Sequence, residues 1–429
     1  MQQRFELRKQ QLLTECDLGP ETFDAIIERL ADFVQPFAAC LVRDEQRRHA
    51  HTYLAGLVSD LKRKNTESIA YRHDQERHGL QHFVGSSTWD HRPLLRELAR
   101  QVGHELGTPA GVIVFDPSGF AKKGTASVGV KRQWLGRLGK VDNGQVGVFM
   151  GYASGREHAL VDLRLYLPKE WAKDRVRRKG CSVPKSVRYR TRHELALEML
   201  QETGPLLPHA WVTGDDEMGR SSHFRAELRR LGESYLLAVP SNTTIRDLEG
   251  IVPEWSGRGP HPKRAFEAVR AWAESLSPGA WRRIETGDGE RGPRFVELAA
   301  TRVVARTDRR RIGPEELLVV VRSRNEAGGT KHDYYLSNAP PETLPGVLAR
   351  VAQAGHRVEE CLQRGKSEAG LADYQVRTWS GWHHHQTLSL IAAWFLVQEA
   401  RRGKKDDAGV DGAAGACRAR VAAACGVRV

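Results

Sequence analysis

Two short apolar runs, each leading straight into acidic residues, restrict this chain more than any other feature. Gly111-Val-Ile-Val-Phe115 is β-branched and meets Asp116-Pro117-Ser118-Gly119, and Ala210-Trp-Val-Thr213 meets Gly214-Asp215-Asp216-Glu217. Runs this short, bounded by Gly and Pro, read as buried strands, the first stopping at Asp116 in a Pro-Ser-Gly turn. A third acid belongs to another kind of element. Over 356–371, Val358, Cys361, Leu362 and Leu371 recur at roughly helical spacing, with Gly370 as a stop. Glu359 and Lys366 stand two helical turns apart there and so share a face.

The rest of the chain arranges itself around these three places. Residues 1–103 read as a helical domain: Phe23, Ile26, Ile27, Leu30 and Phe33 keep a helical period, as do Leu54, Leu57, Val58 and Leu61, and Leu94, Leu95, Leu98 and Val102 form a further helix. Strands are expected at 111–115, 145–152 and 159–167, together an antiparallel meander, and again at 210–213 and 235–239 with helices between. Residues 169–192 read as a charged loop. Residues 241–330, rich in Pro, Gly, Trp and Arg, interrupt the rhythm like an insertion. Tyr334–Ser337 resumes the sheet, 383–399 form a last helix, and 401–429 read as a disordered tail. The expected division is therefore 1–103, 104–240, 241–330, 331–400 and 401–429.

Charge narrows the partners. The 429 residues carry a formal net charge of +13, which calls for a polyanion, and nucleic acid fits better than a membrane surface because no basic amphipathic helix with bulky aromatics stands out. No apolar run reaches bilayer-spanning length, and the first residues lack the apolar core of a signal peptide, so a cytoplasmic location is expected. The six cysteines are scattered without a Cys-x-x-Cys pair, which points to free thiols and not to zinc or disulfides. His383-His384-His385 is no metal site either, because adjacent helix residues point in different directions.

A plainer role is open to each acid. Asp116 can start a turn, Asp215 can cap the next helix, and Glu359 can lie on a solvated face. Their joint occurrence, in order, on a strongly basic chain suits a mixed α/β fold with an RNase H-like core, in which strand ends and a facing helix gather carboxylates around divalent ions. Such oxygen ligands, with two ions roughly 4 Å apart, serve phosphodiester chemistry. Composition and spacing alone lead to a metal-dependent nuclease or transferase.

The motifs carry more. Val-Phe-Asp116-Pro-Ser-Gly-Phe-Ala-Lys-Lys-Gly, Trp-Val-Thr-Gly-Asp215-Asp-Glu-Met-Gly219 and Arg-Val-Glu359-Glu-Cys-Leu-Gln-Arg-Gly-Lys366 resemble the DDE transposases of bacterial insertion sequences. Within them they look like the insertion-containing group with a DDE-superfamily endonuclease domain, over about residues 40–400. In that family the second Asp lies four positions before a Gly, which selects Asp215 over Asp216. The family's Glu lies seven before a Lys, which selects Glu359 over Glu360. The sequence departs from the family at Gly355, where an Arg is usual, at Met218, where an aromatic is usual, and in composition after about residue 400.

The resemblance implies that Asp116, Asp215 and Glu359 hold two Mg²⁺ ions, which Mn²⁺ can replace. The implied substrates are double-stranded DNA at terminal inverted repeats and at a target, with the transposase paired as at least a dimer on DNA near the nucleoid. Lys366 would hold a phosphate, with Lys122 and Lys123 candidates for the same task and Arg357 supplying charge near Gly355. Arg175, Arg177, Arg178, Lys179, Arg188 and Arg190 of the charged loop are the expected backbone contacts, and nine basic residues there imply strongly salt-dependent binding. Trp134 and Trp255 read as core residues with a lesser option of stacking on a displaced base. Rival readings are a non-catalytic DNA-binding regulator, a nuclease that cuts without joining, and an RNA-binding protein.

Overall fold

The computed structural model describes residues 26–406 apart from 156, 253, 260, 290–291 and 325–328. Helices come first: α1 (Ile26–Ala38), α2 (Asp44–Leu57), α3 (Thr66–Arg72), α4 (Arg77–Gly85) and α5 (Arg92–Leu106). Each turns an apolar stripe inward, as α1 does with Ile26, Leu30, Val34 and Phe37. In α5, Pro93 lies in the first turn, where its missing N–H costs no helix bond, and Leu94, Leu95, Leu98 and Val102 are buried.

A mixed sheet follows. Its strands are β1 (Val112–Ala121), β2 (Lys131–Leu135), β3 (Lys140–Ser154), β4 (Glu157–Leu165), β5 (Trp211–Gly214), β6 (Tyr235–Val239), β7 (Thr244–Asp247), β8 (Glu267–Ala268), β9 (Arg282–Gly289), β10 (Gly292–Arg306), β11 (Ile312–Arg324) and β12 (Thr330–Ser337). The order is β2-β3-β1-β5-β6-β12-β11-β10-β7-β8, with β4 on β3 and β9 on β10. β1, β3 and β4 form the expected antiparallel meander. β5 lies parallel to β1, and β6 parallel to β5.

The first strand does not stop in a turn. β1 runs unbroken through Asp116, Pro117 and Ser118, because long β3 pairs with it from Val112↔Ala153 to Ala121↔Gly144. Its pairing with β5 ends at Phe115↔Gly214. Pro117 therefore falls where β1 has a neighbour on one side only, the setting in which a strand tolerates proline.

Residues 169–192 are also more ordered than a loop. They hold α6 (Lys169–Lys173) and α7 (Arg175–Gly180), anchored by buried Trp171, whose Nε1 donates to the Val130 carbonyl at 2.7 Å. Beyond them lie α8 (Arg192–Thr203), α9 (Asp216–Arg220) and α10 (Ser222–Arg230).

After β6 the chain leaves for β7, α11 (Val269–Glu274) and β9–β11, and β12 returns to pair with β6, Leu336 opposite Leu237. Residues 241–330 thus extend the same sheet, with a second small core of Ile245, Val269, Trp272, Val303 and Leu318.

The helix carrying Glu359 is longer than the apolar period of 356–371 suggests. α12 spans Pro345–Glu368, and Gly370, at φ +68°, takes the left-handed conformation just past its end. It packs hard on the sheet beside Glu359: a Cβ on Gly151 of β3 would come within 2.6 Å of Val358. α13 (Trp379–Asp406) closes the molecule, so 401–406 are helical, and the remainder of the expected tail lies outside the described residues. Cys40, Cys181 and Cys361 are free thiols. No described helix is long and apolar enough to cross a membrane.

Candidate active site

Strand register builds the site. Phe115 and Gly214 are the last paired residues of β1 and β5, so Asp116 and Asp215, each the next residue, stand side by side where the two strands part. Asp215 also caps α9: its Oδ1 accepts from the Met218 N–H at 3.0 Å. Gly219 brings α9 against β6, since a Cβ there would fall 1.9 Å from the Ala238 carbonyl oxygen. Asp216 points away to solvent and Arg220, 3.5 Å distant.

The charges feel one another. Burial, then the charge of Glu359, pushes the Asp116 carboxyl up to about 6, against the pull of Lys366. Burial, then the charge of Asp116, pushes Asp215 up to about 8, and the Met218 N–H opposes the rise. The third acid is exposed on α12, while its neighbour Glu360 turns outward to Arg364. Lys366 returns to the strand, its Nζ donating to Ser118 Oγ at 2.6 Å.

Sequence reasoning missed two members of this neighbourhood. Glu217 lies close enough for its charge to raise both aspartates, and Arg192 Nη1 holds it at 2.5 Å from Oε2. Ser118 shares the face of Asp116 because residues two apart on a strand point the same way. Reading 116–119 as a turn concealed that.

The donor set is all carboxylate, two of them half-buried and raised first by burial and then by neighbouring carboxylates, which suits a divalent cation. Among the described residues no three His, Cys, Asp or Glu are grouped as a ready ion cage.

The expected phosphate contacts divide. Lys123, Arg175, Lys179 and Arg188 are exposed. Arg177 lies 3.8 Å over the Trp171 ring, and Arg178 donates to the carbonyls of Pro184 and Val187 at 2.8 and 2.9 Å, so both brace α7. Arg190 pairs with Glu198 at 2.5 Å. Lys122 is half-buried, 3.3 Å over the Tyr374 ring, and burial lowers its amine to about 8. Arg357 is half-buried on α12. A side chain at Gly355 would enter open space. Trp134 is 59% and Trp255 48% exposed, which removes both from the core.

The three histidines are structural. His384 Nδ1 and Nε2 face the carbonyls of Val84 and Trp89, and His385 bridges the Tyr53 hydroxyl and the Gly370 carbonyl. His383 Nδ1 faces the Trp379 carbonyl.

Two aspartates where β1 and β5 part, beside a helix bearing Glu359 and Lys366, make an acidic site of the kind that hard divalent cations take. Residues 36–293, more than half of the chain, match the DDE superfamily endonuclease family, and the chain belongs to that family. The matched stretch contains Asp116 and Asp215 and ends before Glu359. The chain is also 34% identical over 218 residues to the probable transposase for insertion sequence element IS701 of Microchaete diplosiphon, a match over 48% of this chain and 53% of that protein. It thus spans about half the length of that relative. Among solved structures, the piggyBac transposase synaptic complex with hairpin DNA is similar at a TM-score of 0.40 and 12% identity, over 93% of this chain and 77% of that one.

Proposed function

We propose that the chain is an insertion-sequence transposase that cuts transposon-end DNA and joins the freed 3′-hydroxyl to target DNA. One observation carries this reading: Asp116 and Asp215 follow the last register pair of β1 and β5, within reach of the charges on α12. The meander, the parallel β5 and β6, and the return of β12 to β6 support an RNase H-like core in 104–240 and 331–400, with 241–330 as its insertion and the helices before 104 as a separate functional region.

Asp116, Asp215 and Glu359 would hold the divalent cations, two Mg²⁺ or Mn²⁺ per site. When bound, these supply Lewis-acid stabilisation of the attacking and leaving oxygens of the phosphodiester. The chain's own part is orientation. The sheet fixes the two aspartates, α12 presents Glu359, and Lys366 directs an ammonium at the phosphate to be cut. Exposed Lys123, Arg175, Lys179 and Arg188 would follow the DNA backbone, weakening binding steeply as salt rises. Two ends must be paired, so the active assembly is at least a dimer on DNA.

The test is cleavage of a labelled duplex carrying the DNA that flanks the coding segment, in Mg²⁺, by wild type and by Asp116→Asn, Asp215→Asn and Glu359→Gln. Cutting and joining by wild type alone, with binding kept by all, upholds the proposal. Cutting without joining makes the protein a nuclease, and binding without cutting in either metal makes it a regulator.

A further inference from the structure

Lys366 would act by charge, and a lysine head on a four-carbon stem has many positions open to it. Here its position is set by β1. Asp116, Ser118 and Phe120 alternate onto one face of that strand; the ammonium meets Ser118 and Phe120, and its charge reaches Asp116. Its charge lowers the Asp116 carboxyl, its Nζ donates to Ser118 Oγ at 2.6 Å, and it lies 5.1 Å from the Phe120 ring centroid. Ser118 is only 8% exposed, so this hydroxyl faces the protein and not solvent. An ammonium that donates to the hydroxyl cannot also take its proton, so the contact holds the lysine in place and does not activate the serine as a nucleophile.

We propose that Ser118 is a positioning residue: it fixes the Lys366 ammonium at the edge of the acid cluster, and so serves the cleavage step and not DNA binding. The inference rests on the transposase reading above. It goes beyond that reading by giving a role to a neutral side chain outside the acidic triad.

The experiment is a double-mutant cycle of Ser118→Ala and Lys366→Ala, with Ser118→Thr as the conservative rescue. Single-turnover cleavage in Mg²⁺ and binding of the same duplex in Ca²⁺ are read separately. Ser118→Ala is expected to slow cleavage about tenfold with unchanged DNA affinity, and to cause no further loss in the Lys366→Ala background. Ser118→Thr, which keeps the hydroxyl, restores most of the rate. An equal loss in both backgrounds, or full activity of Ser118→Ala, overturns the proposal.

A second readout does not need catalysis. Acylation of Lys366 by an amine-reactive reagent, followed by peptide mass spectrometry, should be several-fold faster in Ser118→Ala than in wild type. Unchanged reactivity overturns the positioning role, whereas faster reactivity in a protein that never cuts DNA overturns only the transposase reading.

Discussion

Asp215 illustrates how one carboxylate carries two duties. It caps α9 through the Met218 N–H while sitting against the charge of Asp116. Folded values of about 6 and 8 lie above the ordinary aspartate range, so the native chain holds protons that the unfolded chain releases. The stability this brings is present at low pH and is lost as pH rises through 6 and then 8. Asp215→Asn keeps the cap, since Asn caps as well as Asp, and removes the charge. Its thermal midpoint at pH 8 should therefore exceed that of wild type by about 2 °C or more, with the difference shrinking toward pH 5. Differential scanning calorimetry at the two pH values checks this.

Arg225 makes the opposite case. Its Nε meets Glu316 Oε1 at 2.9 Å with both side chains buried, and the Tyr235 hydroxyl donates to the same oxygen at 2.6 Å. Arg225→Ala would strand a buried carboxylate and cost about 3–5 kcal/mol in a denaturant titration.

Elements matter here through their closest approaches. α9 lies on β6 only because Gly219 has no side chain, the same glycine whose spacing singles out Asp215. Gly219→Ala should cost about 1–3 kcal/mol by overpacking, measured by urea unfolding, and should lower cleavage further by moving the capped Asp215. Besides the Lys366–Ser118 contact, α12 is held by Val358 against Gly151 beside the acid and by buried Lys64 at the far end. Lys64 Nζ donates to the carbonyls of Leu57, at 2.6 Å, and Glu368, satisfying a carbonyl that the helix end leaves open. The segment between α2 and α3 thereby braces the end of the Glu359 helix.

Across the whole molecule, α13 ties those helices to the sheet with a buried polar seam. Burial lowers His383, His384 and His385 to about 3, 4 and 3, so the native chain refuses protons that the unfolded chain accepts below about 6.5. Stability from this seam is present above pH 6.5 and is lost as pH falls toward 4, the reverse of the two aspartates. Thermal midpoints measured from pH 4 to 9 should therefore pass through a maximum near neutrality, with the acid side falling more steeply because three groups act together. A single core joins the N-terminal helices to β1 and β3–β6, so a chain cut before β1 is expected to lose cooperative unfolding by calorimetry.

The amphipathic helices, the meander and the return of the sheet at Tyr334 were legible in residue order, because periodicity and punctuation are local properties. The family too could be named from spacing, since Gly219 and Lys366 keep fixed distances from Asp215 and Glu359. Contacts between distant segments could not be read that way. That β1 passes through Pro117 depends on β3, that 241–330 joins the main sheet depends on β12, and that Arg177, Arg178 and Arg192 brace the protein depends on Trp171, on the 184–187 segment and on Glu217. Trp134 looks apolar enough for a core, yet among the described residues no layer covers it. A residue's period follows from its near neighbours, but its burial, charge environment and partner are set by chain that folding brings from far away.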